Sequence, residues 1–229
     1  MMKILGMEKS SFIDYPNKVS TVCFTAGCNF RCGYCHNSHM VKEEGKEINQ
    51  EEIFAFLRKR KKFIDAVCIS GGEPTLQKGL YDFIFKIKQE GFFIKLDTNG
   101  TNPDMLELLL KNTLLDYIAM DIKAPFDRYE FVAGKKVEIE MIKRSVDIIK
   151  NSNVDYEFRT TVCKELHSKE DILEIAAYLK GSRAYVIQNF RDGETVLIGK
   201  KQLHPQETEI LEEVKKEVAS YFESFKIRK

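Results

Sequence analysis

Short runs rich in Val, Ile, Phe and Tyr recur along the chain, at residues 19–25, 66–70, 92–97, 117–121, 156–162 and 184–188. Their brevity, their branched and aromatic content and the Gly, Asn or Asp that ends several of them predict buried strands. Between these runs the apolar positions shift to helical spacing. Leu80, Phe83, Ile84 and Ile87 fall at i, i+3, i+4 and i+7, a single apolar face, and Gly91 supplies the stop. Asn49 stands as an N-cap before Ile53, Phe54 and Leu57, and Asn102-Pro103 opens another helix with the proline at its first position. Further helices are expected over 138–151, 168–179 and 205–225.

Six strand–helix units in succession predict an α/β fold, a parallel sheet with helices outside it. No stretch rich in Pro, Gly or Ser interrupts the 229 residues, so a single domain over 1–229 is expected, with the 205–225 helix at its C-terminal end. In such folds the chemistry sits at the carboxyl ends of the strands, in the loops that follow them. Every motif of interest should therefore lie just after a predicted strand.

The first strand runs into Cys28-Asn29-Phe30-Arg31-Cys32-Gly33-Tyr34-Cys35-His36. Three thiols are one short of a closed zinc site, which takes four ligands. His36 offers a fourth donor, but adjacent residues seldom reach one small ion together. Three thiolates suit a cubane of four irons and leave the last iron open for another ligand. A structural zinc or redox-active cysteine loop is the alternative. Cys23, Cys68 and Cys163 stand alone in predicted strands and read as core residues.

Cys28-x3-Cys32-x2-Cys35, with aromatic Tyr34 before the last cysteine, resembles the signature of the radical S-adenosylmethionine (SAM) superfamily. The resemblance implies a partial (β/α)6 TIM-like barrel, a [4Fe-4S] cluster on Cys28, Cys32 and Cys35, and SAM chelating the open iron with the Tyr34 backbone near its adenine. Ser70-Gly71-Gly72-Glu73-Pro74 follows the second strand, where two glycines permit close approach of a backbone or ligand. A Gly-Gly pair alone commonly marks a turn. In this place Gly71, Gly72 and Glu73 are similar to the superfamily loop that binds the SAM amino group. Asp97-Thr98-Asn99-Gly100 and Met120-Asp121-Ile122-Lys123 close the next two strands. They resemble the loops of glycyl-radical-enzyme activating proteins, which implies that Asp97 and Asp121 help to hold a monovalent cation beside SAM, that Lys123 approaches its carboxylate and that Thr98 belongs to the same SAM-binding loop. An ordinary turn and a surface ion pair are the plainer readings. Arg159, within the fifth predicted strand, needs a partner there, either the SAM carboxylate or an acid such as Asp121 in a structural ion pair. Gln188, at the end of the sixth, is a further candidate for the site.

The opening Phe12-Ile13-Asp14-Tyr15-Pro16 also resembles activating enzymes, specifically the short activators of anaerobic ribonucleotide reductases. The implied activity is reductive cleavage of SAM and formation of a glycyl radical on a large partner, an anaerobic ribonucleotide reductase or a pyruvate formate-lyase-like enzyme. A flavodoxin or ferredoxin-type donor would supply the electron. A radical SAM enzyme acting on a small molecule, such as a 7-carboxy-7-deazaguanine synthase, is the competing possibility. Lys plus Arg number 36 against 35 acidic residues, a net charge of +1, which gives no support to nucleic-acid or membrane partners recruited by bulk charge. The basic run Arg58–Lys62 reads as a solvated helix end. No secretory signal or membrane-spanning run is evident, and a cytoplasmic location is expected.

Overall fold

The structure, a computed structural model, describes residues 2–228. Among these residues eight strands form one sheet in the order β1-β2-β3-β4-β5-β6-β7-β8. The strands are β1 (Ile4–Ser11), β2 (Ser20–Thr25), β3 (Ala66–Gly71), β4 (Phe93–Thr98), β5 (Tyr117–Asp121), β6 (Asp155–Val162), β7 (Ala184–Asn189) and β8 (Ser224–Arg228). β1 is antiparallel to β2, and every later pair is parallel. The sheet does not close: β1 and β8 remain its two edges. The six anticipated strands are thus β2 to β7, and the partial parallel barrel stands.

The helices are α1 (Ser38–Val41), α2 (Gln50–Arg60), α3 (Leu80–Gln89), α4 (Pro103–Lys111), α5 (Tyr129–Ala133), α6 (Ile139–Lys150), α7 (Lys169–Tyr178) and α8 (Thr208–Val218). Local chemistry sets their starts. The Asn49 side chain accepts from Glu51 N, the Asn102 side chain from Met105 N, and Ser168 forms a reciprocal capping box with Asp171. Leu80, Phe83, Ile84 and Ile87 are all buried, as their spacing requires.

The period-2 alternation of each strand divides the sheet into two faces. Ile94 and Leu96 of β4 join the core beneath the helices, together with Val67, Ile69, Ile118 and Phe158. Lys95 and Asp97 project from the opposite, concave face. A smaller apolar group of Tyr15, Val22, Ala66 and Cys68 packs at the amino-terminal end of that face.

Two elements depart from expectation. The helix anticipated over 205–225 ends at Val218; a short 3-10 turn then leads to β8, which pairs with β7. Phe222 and Phe225 share helical spacing, but both stack around Tyr185, at 5.2 and 5.9 Å, and the final residues alternate Phe225/Ile227 against Lys226/Arg228 as a strand does. The second departure is β1. Its pairing with β2 carries two register shifts, which break the alternation that would have revealed it.

Candidate active site

The cysteine loop leaves the carboxyl end of β2, as the strand-end rule requires. Its backbone is held from two sides: Arg31 N donates to Ala133 O at 2.7 Å, while Leu197 N and Ile198 N donate to Cys35 O and Gly33 O at 2.9 and 3.1 Å. Cys28, Cys32 and Cys35 are free thiols that line one wall of a cavity of about 210 Å³. Burial pushes all three thiols up, Cys28 to about 12 with the nearby Glu73 carboxylate adding to the shift. They therefore stay protonated at neutral pH until a metal displaces the proton. Among the described residues no three His, Cys, Asp or Glu side chains converge closely enough to hold one metal ion. His36 lies against the Phe190 ring, with ring centres 5.7 Å apart.

The Gly71-Gly72 pair works first on the protein itself. A Cβ on Gly72 would sit 1.9 Å from Gly27 O, and one on Gly71, whose φ is +108°, 2.4 Å from Thr25 N. Only glycine lets this loop press against the entry to the cysteine loop, where Gly72 N and Glu73 N donate to Thr25 O and Gly27 O. Glu73 is 1% exposed, and its carboxylate accepts from Thr75 N at 3.1 Å, Thr75 Oγ1 and Thr98 Oγ1 at 2.6 and 2.8 Å, and Asn99 N at 2.6 Å. Burial pushes this carboxyl up and the four donors pull it back. Glu73 thereby clamps the end of β3 to the end of β4. Asn99 then extends Nδ2 to Asn29 Oδ1 at 2.8 Å, and the same nitrogen lies 4.0 Å from Cys28 Sγ.

Across the cavity, charges alternate along β4, β5 and β6. Lys95 pairs with Asp97, whose other oxygen accepts from Ser70 Oγ at 3.0 Å and lies 3.4 Å from Arg159 Nη1. Arg159 Nε donates to Asp121 Oδ1 at 2.8 Å, and Lys123 Nζ to Asp121 Oδ2 at 3.1 Å. Lining the cavity itself are two of these cations, Lys123 and Arg159, with the acids Glu73, Asp97 and Asp121, while Lys95 reaches Asp97 from the adjoining hollow. Although burial opposes it, Arg159 and then Lys123 hold the Asp121 carboxyl well below the usual carboxylate range, and Arg159 with Lys95 lowers Asp97. The registers Asp121↔Arg159 and Thr98↔Met120 bring these side chains together from strands far apart in sequence.

All the anticipated residues, Tyr34, Gly71, Gly72, Glu73, Asp97, Thr98, Asp121, Lys123 and Arg159, line the cavity with the three thiols. Gln188 does not. It borders a neighbouring hollow on the concave face, with Lys95, Glu157 and Arg228, that meets the first cavity at Arg159. Among residues the motifs did not single out, His167 is the most informative. It is 1% exposed; Nδ1 accepts from Cys163 N at 3.2 Å, so Nε2 carries the proton and donates to Lys123 O at 2.8 Å. Its scattered place in the sequence gave no hint of this hold on the Lys123 backbone. Tyr129 and Gly134 were likewise missed, because α5 meets the cysteine loop only after folding.

An unclosed, mostly parallel sheet thus carries three thiols at the end of its first parallel strand, beside a charged cavity. The chain belongs to the radical SAM superfamily, whose family model matches residues 22–179. Within that class it is related to activating enzymes of glycyl-radical enzymes. It is 41% identical over 98% of its length, and 95% of the relative's, to a Methanocaldococcus jannaschii protein named as a glycyl-radical enzyme activating enzyme. It is 33% identical, over 80% of the chain and 78% of the relative, to the pyruvate formate-lyase-activating enzyme of Clostridium pasteurianum. Solved structures share the fold at low identity. A radical SAM methyltransferase from Sphaerobacter thermophilus matches with a TM-score of 0.72 at 14% identity, over 96% of this chain and 68% of that one. A domain of a pyruvate-formate lyase-activating enzyme from Bacteroides vulgatus matches at 0.56 and 15% identity, over 72% of this chain and 99% of that one. The family carries a [4Fe-4S] cluster and SAM, and three thiols, one short of a closed four-ligand site, lining the same cavity as Lys123 and Arg159 fit both.

Proposed function

We propose that this protein reductively cleaves SAM at a [4Fe-4S] cluster held by Cys28, Cys32 and Cys35 and uses the product to place a radical on a glycine of a large partner enzyme. The cluster would supply one electron to the sulfonium, and SAM would supply the 5′-deoxyadenosyl group that removes a hydrogen atom from the glycine Cα, leaving methionine and 5′-deoxyadenosine. The observation that carries this reading is one cavity lined by three thiols and by two cations, Lys123 and Arg159, that Asp121 holds in place. A carboxylate arriving there meets Lys123 and Arg159 already aligned by Asp121, at no cost of reorganisation. Glu73 is occupied by the β4 loop, so an amino group would find its acceptors among the backbone carbonyls of Ser70 to Gly72. Tyr34, facing the same cavity, would set its backbone beside the adenine.

Asp97 and Asp121 are bridged by the Arg159 guanidinium. A monovalent cation beside them would therefore have to share these carboxylates with Arg159, and dependence of SAM affinity on potassium against a bulky organic cation measures whether it does. A flavodoxin or ferredoxin-type protein would deliver the electron in the reducing cytoplasm. The partner is an anaerobic ribonucleotide reductase or a pyruvate formate-lyase-like enzyme. Anaerobic reconstitution with dithionite and SAM should yield 5′-deoxyadenosine and, with the partner present, a glycyl doublet by EPR. Deoxyadenosine formation with no doublet on any glycyl-radical enzyme of the source organism would overturn the partner assignment in favour of a small-molecule substrate.

A further inference from the structure

Beside Cys32 lie two buried hydroxyls with no well-formed hydrogen bond. The hydroxyls of Tyr34 and Tyr129 are buried without a hydrogen-bond partner, the only such side-chain atoms among the described residues. The two residues are 5% and 0% exposed. A buried hydroxyl left unpaired costs about 1–3 kcal/mol, and most buried polar groups are paired. Two such hydroxyls in one place imply an acceptor that arrives with something else. Both lie within electrostatic reach of Cys32 and of each other. The Tyr34 hydroxyl is directed at the Cys32 sulfur, and the Tyr129 oxygen faces the Lys123 backbone N–H, which leaves the Tyr129 hydroxyl proton free for an acceptor.

Neither ring is free to turn away. Tyr129 packs between Phe30 and Phe126, with ring centres 6.3 and 6.4 Å distant, and Tyr34 against His167 at 6.4 Å. The α5 segment that carries Tyr129 is itself pinned to the cysteine loop. Arg31 N donates to Ala133 O, and Gly134, at φ +65°, closes the helix where a Cβ would stand 2.7 Å from Arg31 O. Cys32 Sγ lies 4.0 Å from Ala133 O on the same wall.

We propose that the Tyr34 and Tyr129 hydroxyls donate hydrogen bonds to the Cys32 side of the bound cluster, to its thiolate or an adjoining sulfide, and so raise its reduction potential. The reduced cluster carries one more negative charge than the oxidised one, so donors to its sulfurs favour reduction. The proposal rests on the proposed function only in requiring the cluster. It makes both tyrosines positioning and tuning residues for the electron-accepting step.

Potentiometric titration of the reconstituted holoenzyme, followed by EPR without SAM, tests it. Tyr34→Phe and Tyr129→Phe should each move the midpoint to more negative values, and together should lower the reduced-to-oxidised ratio at fixed poise by about tenfold, which is 59 mV for one electron. An unmoved midpoint in the double variant overturns the proposal. Should a variant lose its cluster, deuterium ENDOR on the reduced wild type in D2O decides instead. Coupled exchangeable protons are expected, and their absence overturns the proposal equally. Failure of the proposed function would look different, as an intact cluster signal that yields no 5′-deoxyadenosine.

Discussion

Asp121 stands between two cations, Arg159 at 2.8 Å and Lys123 at 3.1 Å, and its acidity follows from that placement. Because its folded pKa lies below the ordinary 3.8, the carboxylate contributes stability that is fully present above about pH 4 and is lost as pH falls toward the folded value. Asp97 acts in the same direction. Glu73, raised by burial, acts oppositely and regains stability as it protonates. Asp121→Asn should lower stability at neutral pH, where Arg159 and Lys123 lose their shared anion, and should flatten the acid decline below pH 4. Urea unfolding of the metal-free protein across that range checks both. The residues that make this network were individually visible in the sequence as strand-end acids and bases. Their connection was not: whether Arg159 met SAM or Asp121 depended on the parallel register of β5 with β6, and the structure pairs it with both acids.

Loops at the strand ends owe their shapes to backbone contacts that no composition reveals. The Gly71-Gly72 pair suggested room for a ligand, and the structure shows that it is first a packing requirement against Gly27 and Thr25. Gly72→Ala would place a methyl group 1.9 Å from Gly27 O, so the start of the cysteine loop must shift. We expect a loss of about 1–3 kcal/mol, typical of overpacking, and reduced iron and sulfide per chain after reconstitution. Denaturation midpoints with iron and sulfide analysis measure both effects. Periodicity located β2 to β7 and helices α2, α3, α4, α6 and α7 because each buries a regular face. It misread the end of the chain, where Phe222 and Phe225 satisfied helical spacing while tertiary stacking on Tyr185 drew residues 224–228 into the sheet. It passed over β1 because register shifts scramble its alternation.

Taken as a whole, the sheet separates its two ends by function. Thr25, before the cysteines, pairs with Gly71, while Ser20 pairs with Ala66, five residues or roughly 16 Å away at 3.3 Å per residue. The basic run Arg58–Lys62 closes α2 and leads into that far, amino-terminal end. An electron donor docked there would stand a strand's length from the thiols. Replacing Lys61 and Lys62 by Glu should therefore leave the rate of cluster reduction by a reduced flavodoxin within about twofold of wild type in stopped-flow measurements, because exposed charges beyond a Debye length are largely screened. A much slower reduction would assign that run to the donor after all. Among the described residues no helix is long and apolar enough to cross a membrane.

The sequence by itself determined the parallel α/β order of six strands, the three thiols and the loop after each strand that carries an acid, a base or a glycine pair. These are local matters, set by period, turn chemistry and ligand spacing along the chain. Tertiary structure alone decided that Glu73 would clamp β4, that Arg159 would bridge two acids, that His167 would hold the Lys123 backbone and that Tyr129 would stand beside Cys32. Each of those contacts joins residues at least 25 positions apart, and strand register and helix docking, which have no local signature, set such distances.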